Sequence, residues 1–328
     1  MRTTGAKIIT TLLEWQGLSV VAGIPGGSNL PLYDALRSSR IRHVLARHEQ
    51  GAGFIAQGMA RATGQVGVCI ATSRPGATNL VTAIADAMLD SVPLVAITGQ
   101  EPRGLLGTTA FQEVDFSAVT APITKRSILV RAAHELPEVI PEAFRIAQSG
   151  RPGPVVIDVP KDVQLTEVEL EAWPEPGRRD PAPRVDRQLI DDRATGKPSE
   201  FCARARIAHV DVDPREIGKI KRAHLSTVGD VGVVLDALLP RVVEQRRPAW
   251  RARIDELRHP GPRPRFIGAL ARLLPRDAIV ATDVGQHQMW VGQSYPFCEP
   301  RTLLSSGGLG TMGFGLPAAI GAALARPS

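Results

Sequence analysis

From residue 17 to residue 163, short apolar stretches alternate with longer amphipathic ones, and this rhythm limits the fold more than any other feature of the chain. Residues 19–23, 68–72, 94–98 and 155–159 are apolar almost throughout. Strands read this way when helices cover both faces of their sheet, because neither face meets water. Residues 50–63 and 79–89 lie between such strands and carry helical spacing. The pattern predicts an α/β fold built on a doubly wound parallel sheet. Ahead of it, Ile8, Ile9, Leu12 and Leu13 recur at helical spacing with Lys7 and Glu14 among them. That predicts an amphipathic helix and not a secretory signal, which needs a longer apolar run and a small-residue cleavage site.

Residues 173–187 contain four prolines and read as a linker, and 258–264 (RHPGPRP) read as a second. Between them a strand is expected at 207–212, an Asp213-Pro214 turn, and a helix at 231–239. A helix at 266–274, strands at 278–282 and 302–304, and a helix at 316–325 with Pro317 in its first turn follow. The expected division is a first domain over 1–165, a linker over 166–187, a small α/β piece over 188–242, a second linker over 243–264, and a last α/β piece over 265–328.

Composition removes several function classes. Aromatic residues make up 4% of the chain, too few for a platform that stacks single-stranded nucleic acid. The net charge of +6 would suit an anionic partner, yet the arginines crowd into 178–187 and 241–265, where a solvated linker is the plainer reading. Cys69, Cys202 and Cys298 are too scattered for a metal-type pair, and their odd number fits a reducing compartment. No stretch approaches the roughly 20 apolar residues of a membrane span. The expectation is a cytoplasmic protein with no nucleic-acid and no membrane partner.

In parallel sheets, ligands gather beyond the carboxyl ends of the strands. Four such ends carry small or polar residues: GIPGG at 23–27, TSRPG at 72–76, TGQ at 98–100 and DVGQ at 283–286. Any one alone is ordinary turn chemistry. Glu49, between an extended stretch and a helix, admits two readings: an acid stabilised by the helix dipole, or a buried carboxylate sharing a proton with a ligand nitrogen. Residues 308–313 spell G-x-G-x-x-G, but no later strand carries the acidic residue that a nicotinamide site needs. Met312 within this stretch would serve equally as core filler. His48 and His287 have no second ligand at metal spacing, so hydrogen-bonding roles are expected. Asp211 and Asp213 fit either ribose hydroxyls or an Asp-Pro turn.

Taken in order, further stretches narrow the reading. GIPGG is followed by LPLYDAL at 30–36, RHEQGA at 47–52, PGATNLVTAIADA at 75–87 and VPLVAITGQ at 92–100. AFQEVD at 110–115, RPGPVVIDVPKDVQ at 151–164, TDVGQHQMW at 282–290 and SGGLGTMGFGLPAAIGA at 306–322 complete the series. Together they resemble the catalytic large subunit of acetolactate synthase, a thiamine-diphosphate enzyme of valine and isoleucine synthesis. The resemblance implies a pyrimidine-binding first domain, a central domain that carries FAD, and a diphosphate-binding last domain.

By that resemblance Glu49 bonds to the cofactor's aminopyrimidine ring and promotes loss of the thiazolium proton. Pyruvate is then decarboxylated and its two-carbon unit joined to a second 2-keto acid. Ile24, Pro25, Gly26, Thr72, Pro75 and Asn79 are implied cofactor contacts. Gly310 and Met312 match the loop that grips the aminopyrimidine, and Gln286 and His287 match the stretch that lines the cofactor from the other domain. Gln112, beside Phe111, matches a catalytic residue facing the reacting centre across a dimer interface. A homodimer is therefore implied, and a regulatory small subunit is admitted. Arg151, Asp211, Asp213 and Asp230 match segments that contact FAD.

Three departures qualify these expectations. Residues 184–190 run directly into 191–197, where the family carries an insertion of about a hundred residues, a domain's worth. The central domain is expected to be a remnant that has lost much of its flavin cradle. The family's Gly-Asp-Gly…Asn motif, which holds the Mg²⁺ that bridges protein to diphosphate, has no counterpart here, so weak or no thiamine-diphosphate binding by this chain alone is expected. Arg74 stands where the family has glycine, so either backbone strain at positive φ or a side chain crowding the pocket is expected. A second reading stays open: a catalytically silent remnant that only associates with other subunits.

Overall fold

The computed structural model describes residues 2–170, 173, 199–243, 245–257 and 265–327. Two compact units result: Met1–Pro183 with Ile279–Val284 and Arg301–Ser328, and Arg184–Ala278 with Gly285–Pro300. The expected last piece, 265–328, is thereby shared between the two units.

The first unit is built on six parallel strands: β2 (Val20–Gly23), β3 (Arg42–Leu45), β4 (Gly67–Ala71), β5 (Leu94–Gln100), β6 (Arg126–Leu129) and β7 (Pro154–Pro160). They lie in the order β3-β2-β4-β5-β7-β6. Every residue of β4, β5 and β7 is buried, which accounts for their largely apolar sequences. On one face α1 (Gly5–Trp15) and α6 (Leu136–Gln148) supply Ile8, Leu12 and Ile140 to a core shared with Ile97 and Ile157. On the other face α3 (Glu49–Thr63) and α4 (Val81–Leu89) bring Ala52, Ile55 and Ile84 against Cys69 and Leu94. A 3-10 turn, Thr78–Leu80, precedes α4 where the helix itself was expected to begin.

The expected first linker starts too early. β8 (Glu167–Glu169) pairs antiparallel with β1 (Arg2–Thr4), and Trp173 packs its ring against Trp15 at 5.4 Å. The rest of that linker and the 184–197 junction lie outside the described residues. The expected second linker also holds a helix, Pro248–Leu257, while 258–264 lie outside the described residues. Near the end of the first unit, β11 (Val280–Ala281) and β12 (Leu303–Leu304) pair in parallel. The following helix, Gly315–Ala325, packs on α3 through a small core of Phe54, Leu304, Phe314 and Ala318.

In the second unit β9 (Ala208–Asp211) and β10 (Leu225–Val228) form a parallel pair. Helix Val231–Leu238 follows, capped by Asp230, which accepts from the backbone of Gly232 at 2.8 Å and of Val233 at 3.2 Å. Among the described residues no helix is long and apolar enough to cross a membrane.

Candidate active site

The chain leaves β2 for β3 on one side and returns to β4 on the other, so a topological switch point lies between β2 and β4. Loops there diverge and leave a crevice at the carboxyl edge of the sheet. Residues 24–28 follow β2, 72–76 follow β4, and Glu49 opens α3 after β3. His48 caps that helix, its ring nitrogen accepting from the Gln50 N–H at 3.1 Å.

Glu49 is 9% exposed. Asn79 donates to its Oε2 at 2.9 Å, and Oε1 lies beside Gly76. A Cβ at Gly76 would stand 3.2 Å from that oxygen and 2.8 Å from the Thr72 methyl, and one at Gly26 would meet Thr72 at 2.6 Å. Both positions therefore require glycine, because any side chain there would collide with Thr72 or crowd the carboxylate. Gly26 is held in place because its N–H donates to Asn29 Oδ1 at 2.8 Å. Below, the Tyr33 hydroxyl is buried without a hydrogen-bond partner. Burial, and then the charges of Cys69 and Glu49, push that phenol well above its usual range. The Cys69 thiol is itself pushed up to about 12 by burial, so it stays a neutral packing group.

The edge carries a second polar chain. Ser28 Oγ lies 2.7 Å from Glu101 Oε1 and 2.9 Å from Ser73 Oγ, and Ser73 Oγ lies 3.0 Å from Gln112 Oε1. Gln112 sits at φ 61°, and its side chain reaches Ser73 in the loop after β4. Glu49, Asn79, Thr72, Gly26 and, through Ser73, Gln112 are therefore brought to one edge. Ile24 and Pro75 belong to the same two loops. The Ile24 N–H donates to Ile70 O, and the Pro75 carbonyl accepts from Asn79 N–H. Pro25, also in the first loop, is exposed.

Neither expectation for Arg74 is met. Its φ is not positive, and its side chain, 4% exposed, is buried against Gly99 O, Asp158 and Phe116. Its Nη2 donates to Asp158 Oδ2 at 3.0 Å, and its guanidinium lies 4.8 Å from the Phe116 ring centre. Asp158 also accepts from Thr98 at 2.6 Å and Gln100 at 3.0 Å. Burial holds the Asp158 carboxyl above the ordinary carboxylate range, with Arg74 and these donors opposing.

Gly310 and Met312 stand elsewhere. Arg61, near the far end of α3, donates to Asp86 at 3.1 Å, Asp90 at 2.7 Å and Ser305 O at 3.1 Å. Asp86 also takes hydrogen bonds from Ser306 and Thr311, and Asp90 from the N–H groups of Gly307 and Gly308. Twelve residues of helix separate Arg61 from Glu49, about 18 Å. Met312 is 78% exposed, so it is not core filler. In the second unit Gln286 and His287 open helix Gln286–Ser294.

The residues expected toward FAD have local duties. Arg151 donates to Ser91 Oγ and to the carbonyls of Met88 and Leu89, closing the end of α4. Asp211 accepts from the Asp213 N–H, Asp213 pairs with Arg215 at 2.9 Å, and Asp230 is a helix cap. Among the described residues no group of three or more His, Cys, Asp or Glu could hold a metal ion.

Sequence reasoning missed Ser28, Glu101, Asp158 and the Arg61–Asp86–Asp90 clamp. The signal for Asp158 was an acidic residue inside an otherwise apolar strand, which a buried position tolerates only with a partner.

A buried glutamate stands at a switch point of a parallel sheet, and comparison with known families gives the class. Residues 3–119 match the thiamine pyrophosphate enzyme N-terminal TPP binding domain, 188–238 the central domain and 283–328 the C-terminal TPP binding domain. Acetolactate synthase isozyme 1 large subunit of Escherichia coli is 45% identical, covering 99% of this chain and 75% of the relative. Isozyme 2 of the same organism is 38% identical (99% and 76%), and the Corynebacterium glutamicum large subunit 39% (99% and 69%). The chain belongs to the acetolactate synthase large-subunit family. The isozyme 1 alignment spans 423 positions against 328 residues here, 95 more, so it crosses stretches present only in the relative.

Proposed function

We propose that this chain is a thiamine-diphosphate-dependent carboligase that decarboxylates pyruvate and condenses the two-carbon unit with a second 2-keto acid. When bound, the cofactor supplies a nucleophilic carbon and an electron sink for that chemistry. The observation that carries the reading is Glu49: nearly dry, with one oxygen held by Asn79 and the other beside Gly76, at the carboxyl edge of the sheet. In such surroundings a carboxyl shares a proton strongly with a ring nitrogen. Thr72, Gly26 and Gly76 would take the ring's flat face, and Gln112 would face the reacting carbon. Arg151, Asp213 and Asp230 are each held by local contacts.

Two copies are part of this proposal. Arg61, whose partners Asp86 and Asp90 hold residues 306–308 and 311, lies about 18 Å along α3 from the same chain's Glu49, so a second chain is the natural source of the loop that grips the ring. The test is thermal: millimolar thiamine diphosphate with Mg²⁺ should raise the melting temperature, since a ligand stabilises the state it binds. Acetolactate should then form from pyruvate. No shift and no product would leave the silent-remnant reading.

A further inference from the structure

Four polar groups run in series along the carboxyl edge of the sheet, Glu101, Ser28, Ser73 and Gln112, in contacts of 2.7, 2.9 and 3.0 Å. Ser28 and Ser73 are 4% and 0% exposed, so water does not stand in for a missing partner. Each hydroxyl holds one hydrogen, and an ionised carboxylate holds none. If Glu101 takes the Ser28 hydrogen, the single Ser73 hydrogen must serve both remaining contacts. It can serve one. Either two hydroxyl oxygens or a hydroxyl and the amide oxygen would then face each other with no hydrogen between them.

Turning the Gln112 amide end for end removes the conflict, and the oxygen and nitrogen of an amide are assigned from such networks. Nε2 then donates to Ser73, Ser73 to Ser28, and Ser28 to Glu101, one hydrogen per contact. We propose that Glu101 is a positioning residue which, through Ser28 and Ser73, sets which end of the Gln112 amide faces the open side of the site. Remove the acceptor at position 101, and the order reverses: Ser28 donates to Ser73, Ser73 to Gln112 Oε1, and the NH₂ group turns outward. Glu101 is itself anchored, since its N–H donates to Gln100 Oε1 at 2.9 Å, and Gln100 Nε2 donates to Asp158 at 3.0 Å.

The kinetic consequence rests on the proposed place of Gln112 at the reacting centre; the relay does not. Side-chain amide exchange on glutamine-labelled protein reads the relay without cofactor, with Gln112→Glu used to assign the signal. In the wild-type chain one Gln112 amide proton should exchange roughly tenfold more slowly than a free amide. Glu101→Leu and Ser28→Ala should each abolish that protection, and the double variant should match either single, because both cut one chain. Equal exchange in wild type and in the foldable variants overturns the proposal. With the holoenzyme, both variants should shift KM for the 2-keto acid by roughly threefold or more at near-constant kcat. If exchange responds and KM does not, the relay stands and the placement of Gln112 fails.

Discussion

Replacing Arg74 with glycine should cost the first unit roughly 3–5 kcal/mol at pH 7, the usual penalty for stranding one member of a buried ion pair. Arg74 and Asp158 are 4% and 1% exposed. The variant leaves Asp158 with Thr98 and Gln100 as donors and strips the cation from the Phe116 ring. For a unit of this size the loss corresponds to a fall in Tm of roughly 6–20 °C. The pH dependence has a definite sign. Burial already holds the Asp158 carboxyl high with Arg74 opposing, so removing the cation raises it further. A group whose native value lies above its unfolded value binds its proton more tightly when folded. Its contribution is therefore fully favourable in acid and is lost as pH climbs from about 3.9 through the raised value. The deficit of the Arg74→Gly variant should shrink between pH 7 and pH 4.5, and adding Asp158→Asn should recover part of it at pH 7. Urea unfolding of each variant across that range is the assay. A loss below about 1 kcal/mol at pH 7, or one that does not change with pH, would refute the reasoning.

Gly58→Ala should lower Tm markedly and cost roughly 1–3 kcal/mol, since its Cβ would stand 2.1 Å from the Ala318 carbonyl oxygen; thermal melting by circular dichroism checks this. Burial pushes Lys125 down to about 8, below the roughly 10.4 of an unfolded lysine, so the unfolded chain binds more protons in between. Stability should rise with pH across that window, and melting curves of Lys125→Met should lack the rise. Mixing Glu49→Gln chains with Gly310→Val chains, each inactive alone, should restore about a quarter of wild-type activity if sites are shared between paired copies. No activity from the mixture would place the site within one chain.

The central strands were legible because burial on both faces leaves an apolar run, as at Leu94–Gln100. The edge strands Arg42–Leu45 and Arg126–Leu129 were not, because their half-exposed residues break the run. Leu136–Gln148 was hidden by Pro141 in its interior, a residue that normally argues against a helix. β8 read as linker because Glu167 and Glu169 are polar and its partner, β1, lies at the other end of the unit. At the site, Glu49 and Asn79 were legible through their place in a family series, and Gly26 and Thr72 likewise. The polar relay was not, because Ser28, Ser73, Glu101 and Gln112 are joined across loops whose folding order gives no spacing to read.

Arg74 gains its meaning from that relay. A buried ion pair is a poor way to stabilise a fold, because apolar side chains of the same volume do as well or better. Orientation is a better reason for one here. Asp158 takes hydrogen bonds from Arg74, Thr98 and Gln100 at once, and Gln100 in turn fixes the backbone of Glu101. An apolar residue at 158 could still fill the space, but it would remove one of the two acceptors of Gln100 Nε2, leaving it the Val114 carbonyl at 3.1 Å. The carboxylate needs a cation to be tolerated at that depth, and Arg74 supplies it from the loop that also carries Ser73. Thus the residue that looks most foreign in the sequence sits at the root of a chain of hydrogen bonds ending at Gln112.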